Sequence, residues 1–148
     1  MRWLCGLAVL CLAAASSFAF TAEQAARGRE VFGNHCAACH GESGQGGDVP
    51  AQFAGLAGWR APRLIGEGAL PEMPRPWHRV RLAPFQTAGD VLGFVAAAMP
   101  AQDPGSLEER QYLDVTAYLL EANGMRPDGK PLDEEQAEKI SLAGLRRR

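Results

Sequence analysis

The chain opens with an uncharged block from Trp3 to Phe20, centred on leucine and alanine, and turns to mixed polar and apolar sequence at Thr21. Thr21 with Gln24 three residues on is a capping-box start. It predicts a helix from Ala22 to Asn34 that runs straight into a pair of cysteines. Thr87 with Asp90 opens a second helix, which stops at Ala98 before Met99-Pro100; Val91, Phe94, Val95 and Ala98 share one face at helical spacing. Ser106 with Glu109 has the same start spacing and predicts a third helix. Its apolar face is Tyr112, Val115, Tyr118, Leu119 and Ala122, and Asn123-Gly124 closes it. A short last helix is expected from Asp133 to Leu142. Between these elements, the glycine-rich stretch from Gly41 to Gly58 reads as loop. Prolines at 62, 71, 74, 76 and 84 break residues 60–86 into turns. Alternating strand patterns, repeats and low-complexity blocks are absent, so the expected fold class is all-α with long loops.

Three helices around two wide loops make a poor core by themselves. A structureless loop as long as Gly41–Gly58 inside a compact domain argues either against the assignment or for a function. A large, flat, apolar cofactor resolves the conflict, because loops that wrap it give the helices a centre to pack on.

The length of 148 residues suits one domain. Arg2, the apolar block and the small-residue site Ser17-Phe18-Ala19 form the pattern of a secretory signal peptide, cut after Ala19. An uncleaved anchor is the alternative, since Trp3–Phe20 approaches the minimum spanning length, although Ser16 and Ser17 dilute its far end. The expected organisation is a signal peptide at 1–19, a folded domain at 20–124 and an extension at 125–148. Cleavage removes Arg2, so the 15 basic side chains fall to 14 against 17 acidic ones, a formal charge of about −3. That balance carries no basic stripe for nucleic acid, and Arg146-Arg147-Arg148 reads as a solvated end.

Cysteine usage changes the picture. Cys5 and Cys11 leave with the signal, so Cys36 and Cys39 remain, followed directly by His40. In an oxidising compartment such a pair is either bridged or used. The C-x-x-C-H spacing is that of covalent haem attachment: one turn of chain reaches two vinyl groups on a porphyrin edge, and the adjacent imidazole projects under the iron. Ala37 and Ala38 are small enough to let the backbone approach the ring. Three competing readings remain. Zinc needs four ligands, and only His35 and His78 could complete a set. A thioredoxin-like pair belongs near a βαβ pattern, whereas a helix leads in here. A plain disulfide gives His40 no role.

Gly28, Phe32, Cys36 to Gly41, Pro62-Arg63-Leu64, Met99-Pro100 and the run from Tyr112 to Leu119 stand in an order that resembles the class I cytochromes c. The resemblance spans the chain up to Gly124, and it is similar in detail to the small periplasmic cytochromes that partner dehydrogenases. It implies three core helices plus loops wrapped around one covalent haem c. It also implies that Gly28 and Phe32 cross Val115 and Tyr118, and that the Pro62 carbonyl accepts the second nitrogen of His40, as metal-bound imidazoles require of a neighbour.

Candidates for the sixth iron ligand are Met73, Met99, Met125, His35 and His78. Pro100 disfavours α geometry at residue 99, which turns the Met99 thioether away from the helix axis, and its place before the last core helix fits the family. Met73-Pro74 shares the local geometry. The bland reading of Met99 is a core-filling side chain. For the haem propionates, Trp59, Arg60, Arg63, Arg75, Trp77, His78, Arg79 and Arg81 crowd one stretch. The expected function is periplasmic one-electron transfer between redox partner proteins, with a dehydrogenase as donor and an oxidase or another cytochrome as acceptor. Metal ligands would be His40 and Met99, no catalytic residue is expected, and no membrane span remains after cleavage. The alternatives are a fixed relay subunit of a dehydrogenase or oxidase complex, and a haem enzyme or gas sensor with an open iron.

Overall fold

The computed structural model describes residues 20–53, 55–70 and 85–147. Helix α1 runs Ala22–His35, and its start is built by the expected reciprocal bonds: Gln24 N–H donates to Thr21 Oγ1 (3.1 Å) and Thr21 N–H to Gln24 Oε1 (3.4 Å). A single turn, α2 (Ala37–His40), follows through Cys36. Helix α3 (Ala88–Ala98) opens on Thr87 and Asp90 as the sequence predicts, with Asp90 N–H donating to Thr87 Oγ1 at 3.2 Å.

Helix α4 spans Glu109–Ala122 and starts differently. Glu108, not Ser106, occupies the cap position, and its N–H donates to Gln111 Oε1 at 2.9 Å. Ser106 lies in a preceding turn, its N–H on Asp103 O, after Gly105 at φ 80°. Ser106-x-x-Glu109 and Glu108-x-x-Gln111 both carry groups that suit the motif, and the turn at Gly105 decides between them.

The α1–α4 pair forms the spine of the core. A Cβ at Gly28 would sit 1.8 Å from Asp114 O and 2.9 Å from Tyr118 Cβ, so glycine sets the closeness of the crossing. Phe32 meets Tyr118 with ring centroids 5.3 Å apart, and Arg29 lies 5.6 Å over the same ring. Arg27 forks onto the Asp114 carboxylate (2.7 and 2.8 Å). Gly28 therefore rests on Asp114 and Tyr118, while Val115, at the same crossing, faces a cavity described below.

A two-residue antiparallel ladder joins β1 (Gly47–Asp48) to β2 (Arg60–Ala61), pairing Gly47 with Ala61 and Asp48 with Arg60. It was not expected, and strands this short have no alternation to read. The rest of the glycine-rich stretch is turns, and nearly all the regular structure of the described residues is helical, in keeping with the all-α expectation.

Residues 125–147 do not stand apart as a tail. Asp133 caps α5 (Glu134–Lys139), a 3₁₀ segment follows at Leu142–Arg147, and Leu132, Ala137, Ile140 and Leu142 are buried in the common core. The Gln24 side chain bonds both backbone groups of Leu132 (2.9 and 2.6 Å) in a buried reciprocal pair. Thr87 bridges Ser141, and the Phe20 carbonyl accepts from Asp128 N–H at 3.0 Å.

Candidate functional site

The turn α2 gathers the attachment motif. Cys39 and His40 both donate their N–H to Cys36 O (3.1 and 2.9 Å), which places Cys36, Cys39 and His40 on one wall of a cavity. Gly41, at φ 81°, then redirects the chain. No disulfide joins Cys36 to Cys39. Burial pushes the Cys36 thiol up to about 11, with the neighbouring Cys39 adding to the effect, and burial also raises Cys39. Redox-active C-x-x-C pairs work with lowered thiol values, so these shifts run against thiol exchange. Among the described residues, no three His, Cys, Asp or Glu side chains converge as zinc ligands do.

His40 is buried, and its Nδ1 lies 2.9 Å from Pro62 O. A carbonyl can only accept, so Nδ1 donates, and in the neutral ring Nε2 is the nitrogen that can serve as a metal ligand. The carbonyl is itself held from two sides. Gly44 O accepts from Leu64 N–H (2.8 Å) and Ile65 N–H (3.2 Å). Gly46, at φ 75°, presses so near that a Cβ there would lie 2.7–2.8 Å from backbone atoms of residues 61–63. From the other side, Asn123 Nδ2 donates to Leu64 O (2.9 Å) and Leu119 O (2.7 Å), and its Oδ1 accepts from Gly66 N–H (3.1 Å). From sequence, Asn123 reads only as a helix stop. Its second task shows in nothing local.

Met99 ends α3 in extended geometry (φ −126°, ψ 150°), its N–H on Val95 O, as Pro100 dictates. It is half-buried on the same cavity. The cavity measures about 370 Å³ and its other walls are mostly apolar: Phe32 from α1, Leu56 and Leu64 from the loops, Phe94 and Val95 from α3, Val115 and Leu119 from α4. Phe94, Val95 and Ala98 are only partly buried, although the helical pattern puts them on the inner face. They line the cavity.

Cys36, Cys39, His40, Pro62 and Met99 thus share one cavity. His35 borders it on the motif side, and Met125 does not line it. Trp59 stands at its rim, 47% exposed, next to Arg60, which pairs with Asp48 at 2.8 Å. Met73, Arg75, Trp77, His78, Arg79, Arg81 and the signal segment lie outside the described residues. The cavity fits a flat apolar group bound through its edge: thiols on one wall, an oriented imidazole, a thioether and aliphatic sides.

Residues 23–119 match the family described as cytochrome c oxidase, cbb3-type, subunit III. A thiosulfate dehydrogenase of Stutzerimonas stutzeri (strain A1501) is 31% identical over 117 residues, covering 79% of this chain and 33% of that protein. The chain therefore spans about a third of the length of this relative. The crystal structure of the sulfane dehydrogenase SoxCD from Paracoccus pantotrophus shares the fold, with a TM-score of 0.56 and 24% identity over 95% of this chain and 69% of that one.

Proposed function

The chain belongs to the c-type cytochromes, in the family described as cytochrome c oxidase, cbb3-type, subunit III, and from that premise we propose that it is an exported, periplasmic electron carrier with a single haem c. Electron transfer is the work of the family. The finer reading assigns thioether bonds to Cys36 and Cys39, axial ligation to His40 Nε2 and Met99 Sδ, and orientation of the imidazole to Pro62 O. The bound haem supplies one-electron exchange at its iron. The protein's part is to hold that group rigidly, keep water off its faces with Phe32, Leu56, Val95 and Val115, and favour the reduced state through a thioether ligand. Trp59 and Arg60 at the rim carry N–H donors suited to propionates. Substrate turnover is no part of this reading.

The observation that carries it is the single cavity holding two neutral thiols, a histidine with Nδ1 on a carbonyl, and a methionine at a Met-Pro helix end. Intact mass of the exported protein with a pyridine haemochrome spectrum tests it. A mass equal to that of the polypeptide alone, with no intense violet band, overturns the attachment. Met99→Ala should abolish the far-red sulfur-to-iron band, lower the potential and let carbon monoxide bind the reduced protein quickly. Fast, complete carbon monoxide binding by the unaltered protein would favour an open-iron sensor or enzyme instead. One observation supports a fixed relay within a larger complex: the 31%-identical relative is a thiosulfate dehydrogenase, and this chain spans only a third of it. Redox partners of either kind would be proteins, and copurification and native mass separate relay from shuttle. Export rests on the sequence of residues 1–19; among the described residues no helix is long and apolar enough to cross a membrane.

A further inference from the structure

We infer that Tyr112 is a positioning residue for the Met99 ligand, a pin that closes the loop carrying it; this rests on the proposed ligation by Met99. Tyr112 lies in the first turns of α4, is 6% exposed, and its hydroxyl makes two bonds. It donates to Met99 O at 3.0 Å and accepts from Leu107 N–H at 3.3 Å. Those two backbone groups are the feet of the segment that leaves α3 at Met99 and enters α4 at Glu109. Between them the chain bends through two turns, Asp103 N–H on Pro100 O and Ser106 N–H on Asp103 O. Both are local bonds within the loop, and neither ties it to a helix. The hydroxyl of a side chain rooted in α4 does so, at the residue whose thioether is to bind iron.

The need follows from local chemistry. Met99 is the first residue past the α3 helix, so its carbonyl has no partner within that helix. Pro100 offers no N–H that could begin a tighter cap. An extended residue at a helix end keeps two soft dihedrals. Rotation about them swings the side chain, and a thioether is a weak iron ligand that leaves readily when its backbone drifts. Tyr112 satisfies the partly buried carbonyl and removes that freedom together. The ring is held by burial between α3 and α4, so the hydroxyl is a fixed point. Tyr118, two turns further on, is the natural control: it packs on Phe32 in the α1 crossing.

The test compares haem-loaded wild type, Tyr112→Phe and Tyr118→Phe. Imidazole is titrated into the oxidised protein as a competitor for the methionine position, while the far-red sulfur-to-iron band and the reduction potential are recorded. For Tyr112→Phe we expect about tenfold faster and tighter imidazole binding, the scale of one lost hydrogen bond, with a lowered potential because the thioether favours reduced iron. Tyr118→Phe should leave all three readouts at wild-type values even if it melts earlier. Imidazole kinetics and potential unchanged in Tyr112→Phe would overturn the inference and leave Tyr112 as packing. A wild-type spectrum without the far-red band would overturn the ligand assignment itself, and the pin with it.

Discussion

Two glycines on the same face-to-face helix give opposite predictions. In α1, Gly28 is buried against α4, whereas Gly33 is exposed with nothing within 4 Å of a Cβ. Gly28→Ala would place a methyl 1.8 Å from Asp114 O and 2.4 Å from Asp114 C. Those are backbone atoms inside a helix and cannot swing aside, so reaching an ordinary contact requires the helices to part by about 1.5 Å at the crossing. Overpacking of this kind costs about 1–3 kcal/mol, and the cost here lies at the upper end because the Arg27–Asp114 fork stretches with the separation. Alanine returns about 1 kcal/mol through its helix preference. The net expectation is a loss of about 2 kcal/mol, or roughly 6–10 °C in midpoint for a domain of this size. Gly33→Ala meets no wall, keeps the preference, and should gain about 0.5–1 kcal/mol. Guanidinium unfolding of the haem-loaded variants, followed by circular dichroism, measures both. A Gly28→Ala variant as stable as wild type would refute the claim that the backbone of Asp114 sets the crossing distance.

The remaining expectations concern charge, thiols and the proximal loop. Arg27→Ala leaves the Asp114 side chain, 3% accessible, without its partner. Because Arg27 itself is 43% exposed and water can fill in, the cost should be about 2 kcal/mol by denaturation, below that of a fully buried pair. In haem-free protein the Cys36 thiol, ordinarily at 9.0, is pushed up to about 11. The folded state then holds its proton longer than the unfolded one, so this group's stability contribution is full below 9 and is lost as pH climbs toward 11. Thioethers do not titrate, so the haem-loaded protein should lack that alkaline loss, and overlaying the two pH–stability profiles checks it. Asn123→Ala removes two hydrogen bonds from the α4 terminus to Leu64 and Gly66, and one back to Leu119 O within α4. It should cost about 1–2 kcal/mol in unfolding experiments while the haem stays attached.

Much of the site is readable in the chain because its determinants are local. Thr21 with Gln24 and Thr87 with Asp90 bond across three residues, and Pro100 restricts Met99 from the next position. The C-x-x-C-H run places its groups by one helical turn. What escapes notice is held by distant partners. Ser106 is the better helix start by residue type, and only the turn at Gly105 gives the cap to Glu108. Two-residue strands have no period. Asn123 looks like a stop signal, and its grip on Leu64 and Gly66 depends on how α4 meets a loop some sixty residues earlier. Tyr112 shows the same limit: its place on the apolar face marks it as core, and nothing nearby reveals where its hydroxyl ends.

The stitching of Gln24 to Leu132, and of Phe20 to Asp128, has a consequence for the order of assembly. A ribosome delivers α1 and the two cysteines that follow it early, yet the groups that satisfy the buried amide of Gln24 and the carbonyl of Phe20 arrive 108 residues later. Until Asp128 and Leu132 are in place, the start of the first helix has no complete outer neighbour. Residues 128–132 act as a latch on the start of α1, and they form none of the walls of the cavity that holds Cys36 and Cys39.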